Sequence, residues 1–315
     1  LADTPIRLLV RLPNWVGDVC MALPTLHALE ACGFAPVLAG RGWSADLLAG
    51  HGWPVLRLPA GLRAAAAVLR GADARHGLLL TNSLSSALAF RLASVSAVGH
   101  RNEGRSLLLG RAIDRSPAMH EVEAFWRLGR ETAAWRSRPG WPSAPPARLG
   151  LRLTDAHRAQ AQTALQAAGL DEAARFVVLA PLAAGTTGGL SKAWPGFGEL
   201  AGLLASHGVA TVCCPGPGEE AAARAAVPGV TLLPGLGLGA YAAICARGTI
   251  TVANDSGPMH LAAAVDAPVL GVFGPGEPAR TRPWGPDARW LGGGGRWPAL
   301  QEVVAPVMQR LGEDR

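Results

Sequence analysis

The residues best suited to chemistry in this chain sit where apolar runs end. Thr249–Ala253 reads as a buried strand, and Asn254-Asp255-Ser256-Gly257-Pro258-Met259-His260 leads from it into a helix expected over Pro258–Val265. Asp255 or Ser256 suits the cap of that helix and Pro258 its first turn. The free N–H groups and positive end of such a helix attract anions, so Ser256, Gly257 and His260 are placed to face a pyrophosphate. The same residues also describe a well-capped helix that carries an incidental histidine.

A second strand, Phe176–Ala180, ends in a loop that runs through Gly185, Thr186, Thr187, Gly188 and Gly189 to Lys192, ahead of a helix expected over Trp194–His207. Hydroxyls, open backbone N–H groups and one ammonium are what phosphate oxygens need. Lys192 is the single lysine among 29 basic residues, and Arg and Lys are not interchangeable at a tight phosphate site. It is not a Walker loop, and a bland flexible loop fits the composition too. A third strand end carries Pro13-Asn14-Trp15-Val16-Gly17-Asp18, where Gly17 permits a tight turn and Asp18 sits at an expected helix start, as an ordinary N-cap aspartate would. A fourth, Pro215 to Glu220, offers Glu219 and Glu220 one element past the strand Ala210–Cys214, where a carboxylate often holds ribose hydroxyls or simply favours a helix start.

The elements that must hold these segments alternate. Strands at Ile6–Leu12, Pro36–Ala39, Val55–Leu58 and Gly77–Thr81 are separated by helices at Val19–Ala31, Ser44–Gly50, Ala60–Arg70 and Ser85–Ala93. The alternation restarts with a helix at Thr154–Ala168 and runs to a closing helix at Pro298–Leu311. Alternating β and α elements imply parallel, doubly wound sheets. Between the two series, Arg138–Pro146 holds four prolines in nine residues and reads as a linker. The expected organisation is therefore α/β, with two Rossmann-like domains, 1–150 (linker 138–150) and 151–315, facing across a cleft.

Charge divides along the same line. Residues 1–150 hold 17 Arg against 10 acids, a net of +7, and residues 151–315 a net of −1. An anionic partner for the first half follows, with Arg101, Arg105, Arg111 and Arg115 as candidates around Leu107-Leu108-Leu109. A solvated arginine face is the plain alternative. No run of 18 apolar residues is present and residues 1–5 lack a secretory pattern, while five cysteines without CxxC spacing read as reduced core thiols, so a cytoplasmic location is expected. No metal-ligand spacing occurs among the eight histidines, and no GxGxxG follows the first strand, against an NAD dehydrogenase.

Taken together, Leu12-Pro13-Asn14-Trp15-Val16-Gly17-Asp18, Thr81-Asn82-Ser83-Leu84-Ser85-Ser86-Ala87, Asn254 to His260 and Phe273-Gly274-Pro275-Gly276-Glu277-Pro278-Ala279-Arg280 resemble the heptosyltransferases of glycosyltransferase family nine, closest to the lipopolysaccharide heptosyltransferase II branch. The resemblance runs from about residue 6 to 290. It implies the GT-B architecture and inverting transfer of heptose from ADP-heptose to the lipopolysaccharide inner core, with no cofactor or metal required. On it, Asp18 is the general base. Thr186, Thr187, Lys192, Glu219, Glu220, Asp255, Ser256, Gly257 and His260 hold the donor. Asn14, Trp15, Asn82, Ser83, Arg101 and Arg105 meet an anionic lipid-linked saccharide acceptor, with peripheral contact at the cytoplasmic face of the inner membrane and no nucleic acid bound. The rivals are the same fold with another acceptor or sugar, a sugar-nucleotide epimerase or hydrolase, and a non-enzymatic nucleotide-binding module.

Overall fold

The computed structural model describes residues 4–102 and 104–313; the reading made on residues 1–3 lies outside them. The chain divides into two compact units, residues 1–146 and 147–315, and the division falls inside the proline-rich segment.

In the first unit the elements run β1 (Ile6–Arg11), α1 (Val16–Ala31), β2 (Phe34–Gly40), α2 (Ser44–Leu47), β3 (Val55–Arg57), α3 (Leu62–Arg70), β4 (His76–Leu79), α4 (Leu84–Leu92), β5 (Ser96–His100), β6 (Arg111–Ile113) and α5 (Glu121–Trp135). All six strands are parallel, in the order β3-β2-β1-β4-β5-β6. A parallel sheet needs helices on both faces, so its central strands are apolar throughout: Leu8, Leu9 and Val10 are fully buried.

Two features differ from the sequence expectation. Helix α1 begins at Val16 rather than Val19, with Trp15 at its N-cap position, so Asp18 lies within the first turn instead of capping it. Elements β5, β6 and α5 fill a stretch where no element was assigned, and α5 packs on α1. Helix α5 opens with a capping box in which His120 accepts from the Val122 N–H and the Glu123 carboxylate accepts from the His120 N–H. Histidine at an N-cap falls outside the usual Ser, Thr, Asp and Asn set.

The second unit contains α6 (Asp155–Ala167), β7 (Phe176–Ala180), a two-stranded hairpin of β8 (Thr186–Thr187) and β9 (Leu190–Ser191), α7 (Phe197–Ser206), β10 (Ala210–Cys213), α8 (Glu220–Ala226), β11 (Thr231–Leu232), α9 (Leu238–Arg247), β12 (Ile250–Asn254), α10 (Gly257–Ala264), β13 (Val269–Phe273), α11 (Pro278–Thr281), β14 (Ala288–Gly292) and α12 (Leu300–Glu313). Its six-stranded parallel sheet has the order β11-β10-β7-β12-β13-β14. Setting the hairpin aside, both sheets have the order 3-2-1-4-5-6 of a doubly wound dinucleotide-type fold. The order reverses between β1 and β4 in the first unit and between β7 and β12 in the second, and ligands of such sheets bind outside the carboxyl ends of those strands.

All five cysteines are free and buried. Burial, with the Glu219 carboxylate nearby, pushes the Cys213 thiol up to about 12, which keeps it unreactive.

The proline-rich segment is largely exposed but is anchored at Trp141. Trp141 lies over Trp126 of α5 with ring centroids 4.8 Å apart, and it closes on Gly129, where an added Cβ would sit 2.4 Å from the indole and 2.6 Å from the Thr25 methyl of α1. Gly129→Val should therefore cost about 1–3 kcal/mol through overpacking of the α1–α5 contact. Urea denaturation followed by tryptophan fluorescence measures it, and an unchanged midpoint would show that this contact is soft.

Candidate active site

In the second unit the site is built on Asn254, the last residue of β12. Its side chain is fully buried; Oδ1 accepts from the Trp194 N–H at 2.9 Å and Nδ2 donates to the Pro181 carbonyl at 2.7 Å. One amide thus ties the strand from which α10 springs to both ends of the segment carrying the hairpin. The Trp194 indole, 4% exposed, donates to the Pro298 carbonyl and anchors the same corner.

The segment read as a glycine-rich loop is a tight antiparallel hairpin that pairs Thr186 with Ser191 and Thr187 with Leu190. Its turn residues have φ of +59° at Gly188 and +80° at Gly189, as a type I′ turn requires, and side chains seldom tolerate that region. Just beyond it, Lys192 Nζ meets Asp255 Oδ2 at 2.7 Å, with the lysine side chain 23% exposed and the carboxylate 7%. The loop after β13 also closes on that carboxylate: an added Cβ at Gly276 would lie 2.6 Å from the same Oδ2. Asp255 is therefore paired with a cation and closely approached by a backbone at which a side chain would crowd the carboxylate.

Helix α10 starts at Gly257 with Ser256 at the N-cap position and Pro258 in the first turn. The Ser256 hydroxyl donates to the Asn254 carbonyl at 3.3 Å instead of capping the helix, so the side-chain cap expected of Asp255 or Ser256 is not made. His260 is one turn in and 4% exposed. Glu219 takes the N-cap position of α8 and its carboxylate accepts from the Gly216 N–H at 2.9 Å, while Glu220 opens the helix; both side chains are exposed. The hairpin, Lys192, Asp255 and the start of α10 come together at the switch point of the second sheet, an arrangement able to receive a diphosphate.

In the first unit the corresponding strand ends are those of β1 and β4. Asn14 is exposed and its Oδ1 accepts from Arg11 Nη2 at 2.8 Å. Trp15 is 65% exposed, and Asp18 is half-buried. Ser83 caps α4, its Oγ accepting from the Ser86 N–H. The backbone carbonyl of Asn82 accepts from Asn102 Nδ2 at 3.1 Å.

The arginines correct the sequence expectation. Arg105 is completely buried, donating from Nε to the His100 carbonyl at 2.7 Å and from Nη1 to the Thr81 carbonyl at 2.7 Å. It staples β5 to the loop after β4 and leaves the acceptor set, because a guanidinium bound to backbone oxygens inside the core cannot reach a ligand. Arg101 pairs with Asp114 at 2.9 Å, Arg111 with Glu131 at 2.6 Å and Arg115 with Glu121. The cluster is thus largely neutralised by acids brought in from β6, α5 and their flanks.

No group of three or more His, Cys, Asp or Glu side chains that could hold a metal ion occurs among the described residues.

Two parallel sheets of order 3-2-1-4-5-6, each opening at its switch point on polar loops, define the two-Rossmann, GT-B fold class. The E. coli ADP-heptose lipopolysaccharide heptosyltransferase II has this fold with a TM-score of 0.81, at 23% identity over 98% of this chain and 99% of that one. An E. coli heptosyltransferase solved with ADP-2-deoxy-2-fluoro heptose gives 0.74, at 23% identity over 98% and 100%. The family model described as glycosyltransferase family 9 (heptosyltransferase) matches residues 62–305, and the chain belongs to that family. Lipopolysaccharide heptosyltransferase 1 of E. coli K12 is 38% identical over 93 residues, a stretch that covers 28% of this chain and 29% of that protein's length.

Two outcomes follow from this geometry. Asn254→Ala leaves the Trp194 N–H and the Pro181 carbonyl unsatisfied in the interior, at about 1–3 kcal/mol for each buried group; chemical denaturation should show the loss, and an unchanged midpoint would refute the staple. His100, 3% exposed at the end of β5, is held down at about 4 by burial first and then by the charge of Arg115. Between pH 6.5 and 4 the unfolded chain binds a proton that the folded chain does not, so stability falls as pH drops through that window, by up to roughly 3 kcal/mol. Urea midpoints at pH 7 and 4.5 should converge in His100→Gln relative to the parent.

Proposed function

We propose that the chain transfers heptose from ADP-heptose, with inversion, to a hydroxyl of the anionic, lipid-linked inner core of lipopolysaccharide. The second unit holds the donor and the first the acceptor. The observation that carries this reading is the constellation at the β7–β12 switch point, where Lys192, the hydroxyls of the hairpin and the N-terminal end of α10 offer an ammonium, O–H donors and open N–H groups within one sheet end. The substrates named for the two solved relatives supply the identity of the sugar and nucleotide.

In the proposed mechanism the Asp18 carboxylate takes the proton of the acceptor hydroxyl as its oxygen attacks the anomeric carbon, and the bond from that carbon to the diphosphate breaks. A positioned base of this kind contributes about 10²–10⁴-fold. The charge that develops on the leaving ADP is met by Lys192, by Thr186 or Thr187 and by the helix end at Ser256 and Gly257. His260 adds a donor toward the diphosphate, Asp255 orients Lys192, and Glu219 or Glu220 takes the ribose hydroxyls. These protein groups neutralise the diphosphate. On the acceptor side Asn14, Trp15, Asn82, Ser83 and Arg101 remain as contacts. Leu107, 94% exposed on the turn between β5 and β6, supports peripheral contact with the cytoplasmic face of an anionic bilayer. No helix among the described residues is long and apolar enough to cross a membrane.

A second reading keeps the reaction and changes the acceptor to that of a first-heptose transferase; the local identity with heptosyltransferase 1 favours it. Release of ADP from ADP-heptose, measured with and without heptose-deficient lipopolysaccharide, tests both. Acceptor-dependent release is expected with one truncated core and not with the core one sugar shorter. Asp18→Asn should lower kcat by about 10²–10⁴-fold with donor binding intact, and Lys192→Met should weaken ADP binding. Near-normal turnover of folded Asp18→Asn would remove the base assignment.

A further inference from the structure

The first unit contains a cavity of about 510 Å³ at the carboxyl ends of its sheet, lined by Arg11, Arg41, Ser83 and Ser85 above a floor that includes Leu69 and Phe90. That volume suits a sugar residue carrying a charged substituent. Its polar walls are of one sign, since no Asp or Glu lines it.

The environment of the two guanidinium groups is unusual for a protein with 23 acids. Among the described residues Arg11 donates to neutral oxygens, the Leu12 and Ala39 carbonyls and Asn14 Oδ1. Among the described residues neither Arg11 nor Arg41 forms an ion pair with a carboxylate, in contrast to Arg101, Arg111 and Arg115. Burial first, and then the charge of Arg41, bring the Arg11 guanidinium down to about 10; a bound anion would offset the repulsion between the two guanidinium groups. Two helices also begin at this cavity, α3 after Gly61 and α4 after Ser83, and neither carries an acidic residue in its first turn. Their positive ends add to the same field.

We propose that this cavity is an oxyanion subsite, in which Arg41 and Arg11 hold a phosphoryl or carboxylate group borne by the acceptor saccharide. The subsite rests on the acceptor role of the first unit and names the chemistry that role uses. Arg11 is fixed in place by its carbonyl contacts and presents its remaining N–H edge, while exposed Arg41 supplies a fork that closes on the anion.

Arg41→Gln is the main test because its side chain is exposed; Arg11→Lys keeps the charge and removes the fork. With ADP-heptose and heptose-deficient lipopolysaccharide, Arg41→Gln should raise the acceptor KM by roughly ten- to a hundredfold, the worth of one charge-assisted hydrogen bond, with kcat and donor KM unchanged. Phosphatase treatment of the acceptor identifies the group: loss of the difference between parent and variant marks a phosphoryl ligand, and its persistence a carboxylate. Separately, inorganic phosphate is titrated calorimetrically into parent and variant, both saturated with ADP to fill the donor site. The parent should bind phosphate and Arg41→Gln should not. Equal acceptor KM values in an active parent would overturn the subsite and leave the transfer reading standing. If the parent releases no ADP, that reading fails, and equal phosphate binding by parent and variant would then overturn the subsite by itself.

Discussion

A parallel strand buried on both faces has no room for chemistry along its length, and that constraint organises both halves of this molecule. Leu8 to Val10 and Phe176 to Ala180 are closed off by helices above and below. Polar and charged groups can emerge only where such strands end, and two neighbouring strand ends diverge enough to admit a ligand only where the order of the sheet reverses. Asp18 and Ser83 follow from β1 and β4; the hairpin, Lys192 and Asp255 follow from β7 and β12.

In the second unit one amide converts this rule into a specific geometry. Asn254 has both a donor and an acceptor, and it spends them on two backbone groups at the two ends of the hairpin segment. The position of Lys192 relative to α10 is therefore set by a neutral, fully satisfied contact. The charged pair with Asp255 is then free to serve orientation, which suits it, because a buried ion pair contributes little net stability once desolvation is counted. Gly276 completes the arrangement by letting a backbone approach the carboxylate where an added Cβ would crowd it.

Six arginines of the first unit that look alike in a list fall into three kinds. Arg105 is a core staple, Arg101, Arg111 and Arg115 are paired with acids, and Arg11 with Arg41 faces a cavity without carboxylates. The net charge of the unit is the same whichever arginine does which work. Of these six, only Arg11 and Arg41 face a cavity without a balancing carboxylate, and neither lies in the arginine cluster that the charge split points to.

The sequence by itself determined the α/β class, the two-part organisation and the strand ends that carry the polar segments, because apolar runs buried on both faces and the turns that end them are local properties. The family was legible in it as well, through blocks such as Asn254 to His260 whose order along the chain is enough to mark them. What tertiary structure decided was partnership. A segment of Gly and Thr became a hairpin because Gly188 and Gly189 take the left-handed turn that lets Thr187 face Leu190. Helix α5 escaped sequence reading because its cap is a histidine and its apolar face is matched by partners distant in the chain, chiefly α1 and also β4 and β5. Asn254 could be seen as part of a motif but not as a staple, since its partners lie 60 and 73 residues away. Arg105 shows the same limit from the other side: its charge suggested solvent and ligand, and only the folded chain brought three backbone oxygens close enough to take it into the core.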